Sequence, residues 1–475
     1  MNRIRQILAV LSFVPVMMLA QSSTENYVKA ETMLNAHGNN AMVSVQYYNG
    51  LGYPTVSVAT TGDDGHTSYS LVTYDALGRE ECKYVPVSTD KSILYKSPGT
   101  IVSSYSDTAP YSKTQYDGLG RPVSVTIPGS AFADKPSTTA YATNAANEVI
   151  RYGVSNNSLT QNGYYPANSL TKEIGKDPEN KQVETFKDLF GRVIMQRVAG
   201  SLCTYHVYDD LGRLRFVLPP KYQSEKNLAA LCYEYRYDDR GRLEYKKLPG
   251  ADYVKYWYDK ADRMICMQDA EMRSANKYRF FVYDKFDRVV LQGLCTTCPS
   301  TNVFNATFNP ATAGTQGTSY TAPSGLGTVE LEIANYYDGK QSKITYNNNP
   351  HFSGLTLPSS SVSQKGQLTG VITAATNGEL LAQAMQYDIK GNATSSKTKD
   401  IGGRIVSTTT AYSFTNKPTQ STATIDVKYG SSMTVIETIG YNTYNDQKSS
   451  DTITVNHGIA KRAITTYAHE NLGRL

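Results

Sequence analysis

Tryptophan occurs once in these 475 residues, and cysteine and histidine six times each. Six cysteines are too few to staple a chain of this length into a disulfide scaffold. The histidines (His37, His66, His206, His351, His457 and His469) are scattered and share no metal-ligand spacing. No Gly-x-Ser-x-Gly elbow occurs, which removes one common signature of acyl transfer. After residue 20 no apolar run is long enough to span a membrane. Formal net charge is only +5, without the basic stripe expected of a nucleic-acid binder. Amphipathic helical stretches are scarce, and the two candidates, Ser224–Tyr233 and Gly378–Met385, are short.

Tyrosine is plentiful: 37 residues, against 12 phenylalanines. Many of them head a recurring string, Tyr-Asp-x-x-Gly-Arg. Full copies are Tyr74-Asp75-Ala76-Leu77-Gly78-Arg79, Tyr116-Asp117-Gly118-Leu119-Gly120-Arg121, Tyr208-Asp209-Asp210-Leu211-Gly212-Arg213 and Tyr237-Asp238-Asp239-Arg240-Gly241-Arg242. Two more replace Gly by Asp: Tyr258-Asp259-Lys260-Ala261-Asp262-Arg263 and Tyr283-Asp284-Lys285-Phe286-Asp287-Arg288. Weaker ones include Tyr48-Asn49-Gly50-Leu51-Gly52-Tyr53, Lys187-Asp188-Leu189-Phe190-Gly191-Arg192, Tyr337-Asp338-Gly339-Lys340, Tyr387-Asp388-Ile389-Lys390-Gly391-Asn392, Tyr412-Ser413-Phe414-Thr415-Asn416-Lys417, Tyr444-Asn445-Asp446 and His469-Glu470-Asn471-Leu472-Gly473-Arg474. A repeat of about 25 residues suits two short strands, a tight turn and a return loop.

Physically the unit is a β-hairpin. Tyr233, Tyr235 and Tyr237 alternate with Glu234 and Arg236, the period of a two-faced strand. Asp238 opens a turn by bonding backbone N–H groups just ahead of it. Gly212 and Gly241 supply the positive φ such a loop requires, and Asp262 and Asp287 tolerate it. The arginine five residues after the tyrosine is expected to lie over that same ring, a contact worth about 0.5–1 kcal/mol when exposed. Tyr208, Tyr237, Tyr258 and Tyr283 should take equivalent places on one face of one sheet. The fold predicted is all-β: an antiparallel sheet of sequential hairpins. Recurrence weakens a catalytic role for the turn carboxylates, because an active site is needed once and a structural turn many times.

Residues 1–20 have the form of an export signal, with Arg3 and Arg5 before an apolar run from Ile7 to Leu19. Residues 21–165 then form an N-terminal β region with early motif copies, 166–295 the regular array, 296–326 an insertion or linker, and 327–475 a degenerate array. Cys295-Thr296-Thr297-Cys298 follows a strand and meets Pro299, which suits a strained local disulfide or two plain thiols better than a redox helix start. Gly473-Arg474-Leu475 stops where a return strand should begin. Residues after about Asp451 are therefore expected to be poorly packed, with an open edge that invites self-association.

The motif resembles the RHS/YD-repeat family, which includes bacterial RHS toxins, the C subunits of Tc toxin complexes and the teneurins. Glu25-Asn26-Tyr27-Val28 through Tyr47-Tyr48-Asn49-Gly50-Leu51-Gly52 resembles the N-terminal domain of unknown function that opens many exported members. The resemblance implies a curved strip or partial shell, and in the toxins the shell encloses a toxic domain. Asp177-Pro178 does not match the family's cleavage site and reads as a turn, and no toxin segment follows. The resemblance thus implies a non-enzymatic, exported scaffold without cofactor, partnered by a downstream core or toxin polypeptide. The alternative is a surface adhesin whose exposed Tyr/Arg ridges grip glycans or proteins.

Overall fold

The computed structural model describes residues 22, 25–299, 304–309, 311–339, 349–358, 360–375, 378–426, 432–457, 459–472 and 474. The export signal expected at residues 1–20, Gly473 of the last motif copy and the following Leu475 lie outside these residues. Among the described residues 29 strands form a single sheet, and its strand pairs are antiparallel. Strand follows strand in chain order from Asn26–Met33 to Ile459–Thr466, except that Val87–Ser88 turns back onto Thr67–Tyr74 while Glu80–Tyr84 pairs with Tyr111–Tyr116, and each of the two ends has one neighbour only. The sheet is an open strip, as sequential hairpins require.

Two segments leave the strip. Ser137–Thr143 pairs directly with Thr171–Lys176, so the hairpin of Ile150–Ser155 and Ser158–Tyr164 between them stands outside as its own small sheet. Val289–Cys295 likewise pairs with Val329–Tyr337 across the stretch 296–326. That stretch folds back onto the sheet. Phe304, Tyr320 and Leu326 are buried with Phe280, Leu291 and Ile372 in one apolar cluster. Both excursions supply what a single-layer sheet lacks, a second layer to cover an apolar face.

Burial follows the alternation of side chains. In Thr67–Tyr74 the residues Thr67, Tyr69 and Leu71 are buried and their neighbours are not. Leu380–Tyr387 shows the same rhythm, with Ala382, Ala384 and Gln386 buried. The helical candidate Gly378–Met385 is thus mostly a strand, because a period-two pattern beside a waiting sheet edge overrides the helix propensity of Leu and Ala. Ser224–Tyr233 holds the end of the helix Pro220–Glu225, which stops at Lys226 in the left-handed conformation, and all of Leu228–Leu231, which is cut short by the strand Tyr233–Tyr237.

Three apolar clusters lie along the strip, around Tyr47 and Tyr69, around Phe186 and Phe216, and around Phe280 and Leu291. Full burial of each such side chain contributes about 1.5–3 kcal/mol. From Ala393 onward the character changes. No described strand residue is buried there, and the one buried side chain is the turn residue Asn445. This Ser/Thr-rich stretch is a wall one sheet thick.

The strip also curls far enough to meet itself. Asn445 Nδ2 donates to the Thr61 carbonyl (2.8 Å) and to Asp63 Oδ1 (2.9 Å), and Asn442 Nδ2 donates to the Asp63 carbonyl (2.8 Å). The His469 N–H donates to Asp63 Oδ2 (2.9 Å), and the Thr61 hydroxyl donates to the Asn471 carbonyl (2.7 Å). The loop joining Pro54–Thr60 to Thr67–Tyr74 therefore touches turns near the other end of the chain. Beyond Asp451 no described residue is buried and the last strand has one neighbour only, as expected, but the chain there is ordered into strands. Lys448–His457 and Ile459–Thr466 pair over eight residue pairs, and the following segment is held by Asp63.

Candidate functional site: the turn ladder and the groove beside it

Each motif copy builds one turn of fixed geometry. In Asp75–Arg79 the Gly78 N–H donates to the Asp75 carbonyl (3.0 Å), and the Asp75 N–H to the Arg79 carbonyl (2.9 Å). This is a three-residue hairpin loop, a type I turn closed by a left-handed residue. Asp75 Oδ1 accepts the N–H groups of Leu77 (2.9 Å) and Arg79 (3.0 Å), while Oδ2 accepts Arg79 Nε (2.7 Å). Asp117, Asp209, Asp238, Asp259 and Asp284 hold Arg121, Arg213, Arg242, Arg263 and Arg288 in the same way. Gly78, Gly120, Gly212 and Gly241 lie at φ between 77° and 81°, and Asp262 and Asp287 take the same place at 64° and 62°. The carboxylates of Asp209, Asp238 and Asp259 are held below their ordinary range. Burial opposes this, and the arginine and backbone N–H groups outweigh it.

The arginines do not lie over their own tyrosines. Arg79 stacks on Tyr116 (4.6 Å from ring centre), Arg213 on Tyr237 (5.2 Å), Arg242 on Tyr258 (4.7 Å) and Arg263 on Tyr283 (4.6 Å). In each case the ring belongs to the next hairpin. A fork pulled back onto its own Asp by two bonds points outward along the strip, and the neighbouring strand end supplies the ring there. The tyrosine completes the staple: its hydroxyl donates to the carbonyl of the residue after the preceding motif's arginine. Tyr116 reaches Glu80 (2.8 Å), Tyr208 Val193 (3.2 Å), Tyr258 Leu243 (2.8 Å) and Tyr283 Met264 (2.6 Å). Tyr74 makes the same bond to Pro54 (2.7 Å). Tyr208, Tyr237, Tyr258 and Tyr283 each end a strand of the one sheet, and each ring receives an arginine of the preceding hairpin, which puts them on a common face. The ridges expected to be free for ligands are thus covered by the ladder itself.

Two further turns carry no tyrosine and share the geometry. Asp177-Pro178-Glu179-Asn180-Lys181 closes with Asp177 N–H on the Lys181 carbonyl (3.1 Å) and Asn180 at φ 62°. Asp400-Ile401-Gly402-Gly403-Arg404 closes with Gly403 at φ 76° and Arg404 Nε on Asp400 Oδ2 (2.6 Å). The Asp177 turn is the one expected from the sequence; the Asp400 turn carries the spacing Asp-x-x-Gly-Arg without the tyrosine that heads the other copies.

A groove opens where the hairpin 150–164 crosses the ladder. Its cavity of about 700 Å³ is lined by Tyr152, Tyr165, Phe190, Arg192, His206 and Asp210, among others. A smaller one of about 360 Å³, reaching Asn156, Asn157 and Arg215, shares Asp209, Asp210 and Leu211 with it. Tyr152 meets Tyr205 edge-on at 5.1 Å. Phe190 is 84% exposed, unusual for its size, and offers a free face at the rim. His206 Nδ1 is buried without a hydrogen-bond partner, and burial pushes the imidazole pKa down.

Other charged groups are mutually neutralised. Glu148 and Glu184 share Lys172 and Arg197 in a half-buried network, with Lys172 2.7 Å and Arg197 2.6 Å from Glu148 Oε1. Burial opposes ionisation of Glu148, yet these cations and the Ala145 N–H bring its pKa down to about 2. A general acid requires the opposite shift. Among the described residues no cluster of three or more His, Cys, Asp or Glu has metal-holding geometry, and no helix is long and apolar enough to cross a membrane. All six cysteines are free thiols, including Cys295 and Cys298.

Residues 21–145 match the model of a domain of unknown function, DUF6443. A comparison with curated proteins found no match. Among solved structures, the chain is similar to the crystal structure of TcdB2-TccC3 at 12% identity and TM-score 0.49, covering 94% of this chain and 22% of that one. The same pair without its hypervariable C-terminal region gives 13% identity and TM-score 0.47, covering 92% and 20%. The Photorhabdus luminescens Tc holotoxin pore gives 13% and 0.45, covering 91% and 21%. The chain spans about a fifth of the length of the solved structures it matches.

Proposed function

We propose that this chain is a non-enzymatic, exported wall segment of a protein shell that surrounds or presents another polypeptide. The observation that carries this is the strip itself. Hairpins are stapled to their neighbours by one repeated Asp–Arg–Tyr device, and the strip curls until Asn445 meets Asp63. Beyond Ala393 the wall is a single layer whose faces are half-exposed, which leaves surface for a guest chain or further wall. Its carboxylates serve turns and ion pairs, which supports a structural role. Cross-linking mass spectrometry on material isolated from its native host tests the proposal. Cross-links from a second polypeptide should concentrate on strands 393–466. A chain that purifies alone and unlinked there would refute it.

A second reading is favoured by the groove. Tyr152, Tyr165 and Phe190 with Arg192, His206 and Asp210 combine ring faces and polar groups of the kind that hold a saccharide. A glycan array would decide it: binding should fall at least tenfold in Phe190→Ala, and an array without hits would remove this reading.

A further inference from the structure

One rim of the strip carries a row of large apolar side chains that the fold does not bury. Leu51, Leu77, Leu119, Phe190 and Leu211 each stand fourth in a motif copy, at the tip of its turn, and Leu189 stands beside Phe190. All six are between 75% and 91% exposed. An even number of antiparallel strands separates each of these turns from the next, so every one returns to the same rim. Neighbouring turns stand about 10 Å apart, two strand spacings, with one double step at the excursion between Thr143 and Thr171.

Nothing in the turn asks for leucine at that place. Arg240 and Ala261 hold it in turns closed by the same hydrogen bonds. Beyond Leu211 charge takes over the rim, with Asp239 and Arg240, Lys260, Lys285 and Lys390 at the tips of later turns. In the five turns from Leu51 to Leu211 the two tip positions hold one charged residue, Asp210. The turn backbones are bonded internally, so this rim presents side chains and no open strand edge. Where the strip meets itself, a tip of the same rim does touch protein. Tyr444 stands fourth from Tyr441, whose hydroxyl makes the usual staple to the Pro418 carbonyl (2.9 Å). Its ring lies over Gly65, near enough that a Cβ there would come within 3.2 Å of it. An apolar tip on this rim is thus a group that packs against another rim when one is present.

We propose that the row from Leu51 to Leu211 docks against the same row of a second copy of this chain, forming a twofold dimer. A large apolar side chain hides about 100 Å² when covered, so the six offer roughly 600 Å². A stable complex needs roughly 800 Å² from each partner, and the residues between the tips make up the difference. An apolar centre depleted of charge, with charged turns on its flank, is the composition of a protein interface. Because the row is nearly uncharged, two identical copies meet without repulsion. Two arcs of one curvature lie rim to rim about a twofold axis, Leu51 of one copy toward Leu211 of the other, so the contact is self-complementary and closes at two chains. The pairing holds whether or not the wall encloses a guest.

Sedimentation velocity of the full chain over a range of concentrations tests this. The expected result is a monomer–dimer equilibrium with its midpoint in the micromolar range or below, and no species heavier than two chains. Leu77→Asp and Leu119→Asp, both away from the groove, should each weaken pairing at least tenfold and together leave a monomer. The melting temperature should stay unchanged in both, because neither side chain is packed within the chain. Ile401→Asp, in a turn on the opposite rim, should leave the dimer intact. A wild-type chain that stays monomeric at every concentration would overturn the proposal. So would assembly that grows without limit, the mark of one rim stacking on the opposite one, or a dimer that survives the double variant.

Discussion

Removing the turn carboxylate should have very different consequences at Asp259 and at Asp117, although both sit in the same motif. The Asp259 side chain is 0% exposed and its partner Arg263 10%, whereas Asp117 and Arg121 are 22% and 44% exposed. Asp259 accepts the N–H groups of Ala261 (2.9 Å), Arg263 (3.0 Å) and Phe304 (3.3 Å), the last from the folded-back layer. In Asp259→Ala these donors lose their partner. Arg263 keeps only Asp287 (2.7 Å), which water reaches freely. Stripping one member from a buried, hydrogen-bonded ion pair costs about 3–5 kcal/mol. In Asp117→Ala water replaces the carboxylate, and an exposed pair contributes little. A repeat array need not unfold in two states, so native-state hydrogen exchange is the suitable assay. Amides of Val254–Tyr258 and Met264–Gln268 should lose protection by about a hundred- to a thousandfold in Asp259→Ala, since 1.4 kcal/mol is tenfold. Amides flanking Asp117 should lose less than about tenfold in Asp117→Ala. Equal losses at the two sites would show that burial does not govern the strength of the staple.

Gly241→Val should cost about 1–3 kcal/mol in thermal or denaturant stability through backbone strain alone, since φ is 81° and no atom lies within 4 Å of the added Cβ. Gly241→Asn should cost less than half as much, and similar costs would contradict the left-handed requirement. Tyr258→Phe, which keeps the ring under Arg242 and removes only the bond to the Leu243 carbonyl, should cost about 1 kcal/mol, and Tyr258→Ala about 3 kcal/mol, by the same measurement. The pKa values of Asp209, Asp238 and Asp259 are depressed in the fold, so the stability they contribute is complete above about pH 4 and lost as pH falls through their folded values. Melting midpoints from pH 7 to 3 should drop below pH 4, and a rise would refute the sign. His206, also depressed, adds an earlier loss below about pH 6.5 as the unfolded chain takes up a proton the buried ring does not, and His206→Phe should abolish that phase.

The sequence by itself determined what is local. Asp, Gly and Arg within five residues specify a turn whose bonds are nearly all internal, so the hairpins, the positive φ of Gly212 and Gly241 and the all-β class could be read without coordinates. Even the tyrosine-free turns at Asp177 and Asp400 were legible from spacing. Tertiary structure decided whatever depends on the neighbour a group meets. Arg242 carries no sign that its ring is Tyr258 rather than Tyr237, because that choice depends on how the next strand pairs. Leu380–Tyr387 became a strand because an edge was waiting for it. The contacts of Asn445 and His469 with Asp63 follow from curvature and register accumulated over many strands. Small twists add along a strip, and no window of sequence records their sum.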